Sequence, residues 1–183
     1  MKKFLITFIL FLTTLSCFAL ERPRWVGLPI YVYIPTNYGN MTTLMKQAFT
    51  AWETKSKSLV RFKFVSSPSN ANIIVEFVDF VSNCSDANAV GCTEMMTKSG
   101  QYEKAYVTIG TKEYTRSYKG GQYTRQIVTR SKDHIYGVML HEAGHAIGLG
   151  HSENNNSIMY PYDLDSMQYL TNEDMKLLYN KYH

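Results

Sequence analysis

The stretch His141-Glu142-Ala143-Gly144-His145-Ala146-Ile147-Gly148-Leu149-Gly150-His151 decides how the rest of this sequence is interpreted. It contains three of the five histidines of a 183-residue chain. Residues four apart share one face of an α-helix, so His141 and His145 can present their imidazoles to a single ion. On a continuing helix, His151 would lie roughly 15 Å from His141. The chain must therefore turn back, and Gly148 is the residue best able to adopt the positive φ that this reversal needs.

The three histidines predict a zinc site. Three neutral imidazoles suit zinc and leave its fourth position open for water. We therefore predict one catalytic zinc ion held by His141, His145 and His151. Glu142 lies on a flank of the same helix and can accept the proton of that water as a general base. A purely structural site usually closes with a fourth protein ligand, and none is evident here.

Alternation of apolar and other residues predicts the strands. Residues 30–34 and 60–64 show the period of two that is typical of half-buried strands. Residues 73–78 are apolar on both faces, which favours a central strand. A fourth strand is predicted at 105–109, ended by Gly110.

Two polar segments separate these strands from the histidine-rich helix. Residues 82–103 and 111–132 are rich in Gly, Ser, Thr and Tyr, which predicts loops or short irregular strands. Their tyrosines, from Tyr102 to Tyr123, are candidates for lining a substrate groove.

Helical spacing predicts three helices. The first spans the apolar residues 44–52, between the first two strands. The second starts near Asp133, a candidate cap, carries the histidines and ends at Gly148. The third starts at Thr171, where Asp174 three residues later resembles a capping box. The fold class is therefore α+β, with no repeat or linker that would indicate a second domain.

The N-terminus resembles a secretory signal peptide. Lys2 and Lys3 precede an apolar run that is shorter than the roughly 20 residues of a membrane span. We predict cleavage after Ala19, which leaves residues 20–183 as one catalytic domain that is secreted, periplasmic or extracellular. Lipidation of Cys17, which would anchor the protein to a membrane, is the alternative. Without Lys2 and Lys3 the formal charge falls from +4 to +2, which gives no indication of a nucleic-acid partner.

Cys84 and Cys92 are the cysteines that remain after this cleavage. An even number in an exported chain favours a disulfide between them, although two separate thiols are also possible. Neither has the CxxC spacing of a metal or redox pair.

The histidine motif and the residues that follow it resemble the metzincin clan of zinc peptidases. After His151, Ser157-Ile158-Met159-Tyr160-Pro161 is similar to the clan's Met turn, which lies beneath the metal. His151-Ser152 and Met159-Tyr160-Pro161 are most similar to the matrixin branch, in its small bacterial-type form. The resemblance is specific over residues 141–161 and looser at 25–64, 71–77 and 170–175.

This resemblance implies a zincin catalytic domain with a mixed five-stranded twisted sheet, an active-site helix, a Met turn at Met159 and a C-terminal helix. It also implies a cleft beneath an antiparallel edge strand, for which residues 89–96 are the candidate. A protein or peptide substrate would bind there in extended form and be hydrolysed as by an endopeptidase. We expect a monomer.

Some features of the matrixin pattern have no counterpart here. The sequence shows no pro-domain with a zinc-blocking cysteine between the predicted signal peptide and Trp25, so we expect activity without removal of a pro-segment. Residues 96–132 contain no His and no Asp, so the sequence does not support structural calcium or a second zinc. The alternative function is a zinc-binding adhesion or interaction module of the same fold. Glu142 favours the enzyme, because zinc binding does not need it.

Overall fold

A computed structural model of the chain describes residues 23–82, 84, 89–162 and 167–183. The predicted signal peptide, residues 1–19, and Cys17 lie outside the described residues. The helices and strands, in chain order, are β1 Ile30–Tyr33, α1 Asn40–Lys55, β2 Phe62–Val65, β3 Ile73–Val78, β4 Gly91–Lys98, β5 Gln101–Gly110, β6 Lys112–Lys119, β7 Gln122–Thr129, α2 Lys132–Ala146 and α3 Asn172–Tyr182.

Five strands form one mixed sheet in the order β2-β1-β3-β5-β4. The first four strands in this order run parallel to one another, and β4 pairs antiparallel with β5 at the edge. The predicted fold class is thus confirmed, with β3 in the centre and an antiparallel strand at the edge. Because β4 pairs on one side only among the described strands, its outer backbone groups are available to another extended chain.

The core lies between this sheet and the helices α1 and α2, which contact each other. Trp52 of α1 is fully buried and donates its indole N–H to the carbonyl of Leu140 in α2, at 2.9 Å. Helix α2 also contacts β4 and β5, which fixes the histidine-bearing helix against the edge of the sheet.

Two segments predicted as loops or short irregular strands contain longer, regular strands, and one of these, β4, lies where the family resemblance placed the edge strand at 89–96. Within 82–103 lie β4 and the first part of β5, and within 111–132 lie β6 and β7, which form a separate two-stranded sheet. The turn of this hairpin is Gly120-Gly121, both with positive φ. These strands were not predicted because polar residues alternate with aromatic ones in them, so neither face shows the continuous apolar stripe that marks a half-buried strand.

Smaller corrections concern where elements begin and end. The strand predicted at 60–64 runs from Phe62 to Val65, and the strand predicted at 105–109 runs from Gln101 to Gly110. The cap of α2 is Ser131, whose side chain accepts a hydrogen bond from the His134 N–H at 3.1 Å; Asp133 lies in the first turn. The capping box of α3 is present as predicted, with Thr171 and Asp174 bonded reciprocally.

No helix in the described parts of the chain combines the length and hydropathy needed to cross a bilayer.

Candidate active site

The three predicted histidine ligands lie together at the C-terminal end of α2. Their ligand nitrogens all lie within 4.8 Å of one another. His141 and His145 project from the same helix face, and the chain then reverses at Gly148, which has a φ of +92°. A side chain at Gly148 would also meet the ring of Tyr102 at 2.5 Å. This glycine is required both by backbone conformation and by space, and it brings His151 back to the pair.

Backbone carbonyls orient two of the imidazoles. Nδ1 of His141 lies 2.7 Å from the carbonyl oxygen of Ile158, and Nδ1 of His145 lies 2.8 Å from that of Leu149. A carbonyl can only accept, so each Nδ1 carries the proton and each Nε2 keeps a lone pair. This is how second-shell contacts fix the tautomer of metal-binding histidines.

The spacing of two of these nitrogens fits zinc. Two nitrogens bound to one tetrahedral zinc at about 2.05 Å are about 3.3 Å apart. Nε2 of His145 lies 3.2 Å from Nε2 of His151. Burial, the largest cause, together with the neighbouring His145 lowers the pKa of His141 to about 3. Burial also lowers the pKa of His145. Both imidazoles are therefore neutral at pH 7, as metal ligands must be.

Glu142 is buried beside this site and is held by the edge strand. Thr93 of β4 donates its hydroxyl to Oε2 of Glu142 at 2.6 Å, and the same hydroxyl lies 3.2 Å from the Glu142 carbonyl. Burial raises the pKa of Glu142 to about 7, and the Thr93 hydrogen bond opposes that rise. Gly91 makes this approach possible, because a Cβ there would lie 2.6 Å from the Glu142 side chain.

The Met turn lies directly under α2. Met159 is fully buried, and a side chain at Gly144 would collide with its sulfur. The Met159 carbonyl accepts a hydrogen bond from the Ser152 N–H at 2.8 Å, which ties the turn to the residue after His151. Met159 thus packs against α2, and its role as a structural turn beneath a metal stays a prediction.

Asp174 connects the Met turn to α3. Its carboxylate is fully buried; Oδ1 accepts from the Ser157 hydroxyl at 2.5 Å, while Oδ2 accepts from the Thr171 N–H at 2.6 Å. The Ser157 hydroxyl in turn accepts from the Met159 N–H at 3.0 Å. The capping-box residue Asp174 therefore also positions the loop under the three histidines.

A cleft of about 900 Å³ opens between β4 and the histidines. Glu142, the three histidines, the first half of β4 and Tyr102 line it. Cys84 and Cys92 form a disulfide at its rim, as predicted. Of the tyrosines proposed to line a groove, Tyr102 lies in this cleft, whereas Tyr114, Tyr118 and Tyr123 lie on the hairpin.

Sequence reasoning missed Thr93 and Asp174 as parts of the site. Thr93 follows Cys92 in a segment with no distinguishing motif. Asp174 was recognised only as a cap, because the sequence gives no sign that its second oxygen meets Ser157.

This geometry defines a class of protein: a mixed sheet, an antiparallel edge strand over a cleft, and three convergent imidazoles next to a buried glutamate. The family model for matrixin matches residues 32–183 of the chain. A protein of Trichoplusia ni ascovirus 2c named "Putative matrix metalloproteinase" is 43% identical over 27% of this chain and 13% of its own length. The chain belongs to the matrixin family of zinc metallopeptidases.

Proposed function

We propose that this chain is a secreted endopeptidase that binds zinc through His141, His145 and His151 and uses Glu142 as its general base. The convergence of three imidazoles with fixed tautomers beside a buried carboxylate carries the proposal. The viral relative, which is named as a matrix metalloproteinase, also supports peptidase activity. The match covers a short segment, 13% of that protein.

The edge strand supports a substrate in extended form. β4 lies at the edge of the sheet, and its residues from Gly91 to Met95 line the cleft. An extended peptide can pair with the outer backbone groups of β4, so that main-chain hydrogen bonds supply affinity and the cleft walls select side chains.

The chemistry follows from the groups that surround the scissile bond. His141, His145 and His151 would hold zinc, which would act there as a Lewis acid that polarises a carbonyl and lowers the pKa of water. Glu142 takes the proton of the attacking water and then delivers it to the leaving amine. Thr93 is a positioning residue, because its hydroxyl holds Oε2 of that carboxylate. The carbonyls of Ile158 and Leu149 keep His141 and His145 oriented as ligands.

The test of this function is Glu142→Gln. The amide retains the shape of the side chain but cannot accept a proton, so peptide hydrolysis should fall by about 10²-fold or more. Bound zinc should stay near one ion per chain. His151→Ala should lose both hydrolysis and tight zinc binding, because it removes a ligand.

Asp133→Asn is the matched control, since it removes an exposed carboxylate from the first turn of the same helix. It should leave turnover and zinc content unchanged. Near-normal turnover of Glu142→Gln would contradict the mechanism, and zinc binding without any hydrolysis by the wild type would favour the adhesion module.

Export is part of the proposal. Lys2 and Lys3 before a short apolar run support a signal peptide, and the Cys84–Cys92 disulfide suits an oxidising compartment. The intact mass of the exported protein should correspond to residues 20–183. A mass that begins at Cys17 and carries acyl chains would indicate lipid anchoring instead.

A further inference from the structure

One face of the hairpin formed by β6 and β7 is largely exposed and has an unusual composition. Directly paired residues lie on the same face of a hairpin, and successive residues alternate. The Arg–Tyr face is defined by four cross-strand pairs: Lys112 with Thr129, Tyr114 with Ile127, Arg116 with Arg125, and Tyr118 with Tyr123. It contains no acidic residue. Of the side chains described on the opposite face, Glu113 is the charged one, and it pairs with Arg130 at 3.1 Å.

The base of this face is anchored to the main sheet. Lys112 pairs with Asp79 at 2.6 Å, in the segment that follows β3. Phe80 stacks on the ring of Tyr114 with centroids 4.6 Å apart, and the Arg125 guanidinium lies 3.5 Å from the centroid of that ring. The sandwich of Phe80, Tyr114 and Arg125 therefore orients one guanidinium and fixes the hairpin against the domain.

The centre of the face carries two positive charges that no described acidic residue compensates. Arg116 and Arg125 are directly opposite each other, and neither forms an ion pair with any residue that the structure describes. Like charges directly opposite in a sheet are unfavourable. Two arginines at directly paired positions on one face suit a carboxylate, since a planar guanidinium can donate two hydrogen bonds to it. Beyond them, Tyr118 and Tyr123 are 64% and 77% exposed at the tip.

The backbone of the hairpin indicates which kind of anion fits. Each strand of a two-stranded sheet has an outer edge. The Lys112 N–H at the start of β6 donates to the Asp79 carbonyl at 2.9 Å, and beyond it the outer edges of β6 and β7 can each pair with an added extended chain. Polypeptides can use such an edge, whereas polysaccharides, nucleic acids and lipid headgroups cannot pair with it as a strand. The hairpin also begins beside the cleft: Gly110, at the end of β5, donates its N–H to the carbonyl of Val90, a residue that lines the cleft.

We propose that the Arg–Tyr face is an exosite that binds acidic, extended segments of protein substrates outside the catalytic cleft. An acidic segment places carboxylates on Arg116 and Arg125 while its backbone pairs with a free strand edge. The proposal rests on the proposed function only in calling the partner a substrate; the binding itself needs neither zinc nor Glu142.

The experiment measures binding in the presence of a chelator, so that hydrolysis plays no part. The probe is a labelled ten-residue peptide of alternating Thr and Glu, compared with the same peptide carrying Gln in place of Glu. Alternation puts every carboxylate on one face of an added strand. The full exported chain should bind the Glu peptide and bind the Gln peptide at least about fivefold more weakly.

Arg116→Ala and Arg125→Ala should each weaken binding of the Glu peptide by about threefold to fivefold, and the double variant by about tenfold or more. The Arg116 side chain makes no hydrogen bond or ion pair with the described residues, so its removal leaves the Phe80, Tyr114 and Arg125 sandwich intact. Arg61→Ala is the matched control. It removes an exposed arginine next to β2, at the other edge of the sheet, and should bind like the wild type.

Equal binding of the Glu and Gln peptides, or equal losses in Arg61→Ala and Arg116→Ala, would overturn the exosite. So would stronger binding of single-stranded DNA, a sulfated polysaccharide or anionic vesicles that the same two arginine variants abolish. A second arm separates this result from the catalytic proposal. The arginine variants should raise KM for a substrate with an acidic tail and leave hydrolysis of a short neutral peptide unchanged. Absence of all hydrolysis in the wild type would contradict the catalytic proposal and leave the peptide-binding result standing.

Discussion

Thr93 and Glu142 form a hydrogen bond between the edge strand and the active-site helix, 2.6 Å from hydroxyl to carboxylate. Thr93→Val keeps the branched shape and removes the donor, so the carboxylate is free to turn away from its working position. We expect kcat to fall about tenfold with KM little changed, which corresponds to about 1.4 kcal/mol in the transition state.

Thr93→Ser is the control for that substitution, because it restores the hydroxyl without the methyl group. It should recover most of kcat. Equal losses in the Val and Ser variants would show that Thr93 contributes packing and does not position Glu142.

Asp174 joins two parts of the chain through one buried carboxylate. Asp174→Ala leaves the Ser157 hydroxyl and the Thr171 N–H without their acceptor. Because buried donors that lose a partner are costly and a helix cap is lost as well, we expect the free energy of unfolding to fall by about 2–4 kcal/mol. Chemical denaturation measures this. Glu173→Ala, one position earlier and partly exposed in the same turn, should cost less than about 1 kcal/mol.

Among single residues, the sequence predicted which side chains of the site converge when those residues are close together along the chain. His141, Glu142, His145, Gly148 and His151 belong to one helix and the turn after it, so helix geometry and a glycine were enough to bring them together. Thr93 reaches Glu142 from another strand, and the Ile158 carbonyl carries no side-chain signal at all. Such contacts depend on tertiary packing, which local spacing does not encode.

The end of α2 is an element whose geometry depends on Gly148. In Gly148→Ala, a positive φ and a Cβ 2.5 Å from the Tyr102 ring together oppose the turn. We expect a loss of about 2–3 kcal/mol in stability and clearly weaker zinc binding, because His151 is displaced from His145. Thermal unfolding and metal titration measure the two effects.

Gly150→Ala is the comparison, since nothing lies within 4 Å of a Cβ there and its φ is not positive. It should behave almost like the wild type. Similar losses in both glycine variants would mean that the loop needs glycine for flexibility and not for one fixed turn.

Among the elements, the helices and the parallel strands were predictable because each has an apolar face. The hairpin of β6 and β7 was not, since its exposed face alternates Tyr with Arg and its other face is mostly Thr, Ser and Gln. The pair Gly120-Gly121 between two alternating runs is a hairpin signal that could have identified it. β4 was expected only from the family resemblance, because half of its side chains are polar.

The Cys84–Cys92 disulfide closes a short loop beside the cleft and contributes to the stability of the whole domain. Replacing both cysteines with Ser should lower the free energy of unfolding by about 2–3 kcal/mol, since the loop that the disulfide closes is short. Denaturation of the variant beside the wild type measures this loss. Mass spectrometry of the exported protein should find no free thiol at these positions, and two free thiols would refute the pairing in solution.

Zinc binding should stabilise the entire domain, because the site is assembled only when α2, the Gly148 turn and the Met turn are in place. At a zinc concentration about 100 times its Kd, the expected gain is about 2.7 kcal/mol. Thermal unfolding with and without zinc measures it. The gain should vanish in His151→Ala, while magnesium should give none, since it prefers oxygen ligands.

The chain's two tryptophans both bind the backbone of the active-site helix: the indole N–H of Trp25 donates to the carbonyl of Ala146 at 2.8 Å, and that of Trp52 to the carbonyl of Leu140 at 2.9 Å. Both rings are at most 5% exposed. Tryptophan fluorescence therefore reports directly on α2, since both indole rings that emit are hydrogen-bonded to its backbone. A shift of that emission to longer wavelength signals that the helix bearing the histidines has opened to water, with no label attached to the protein.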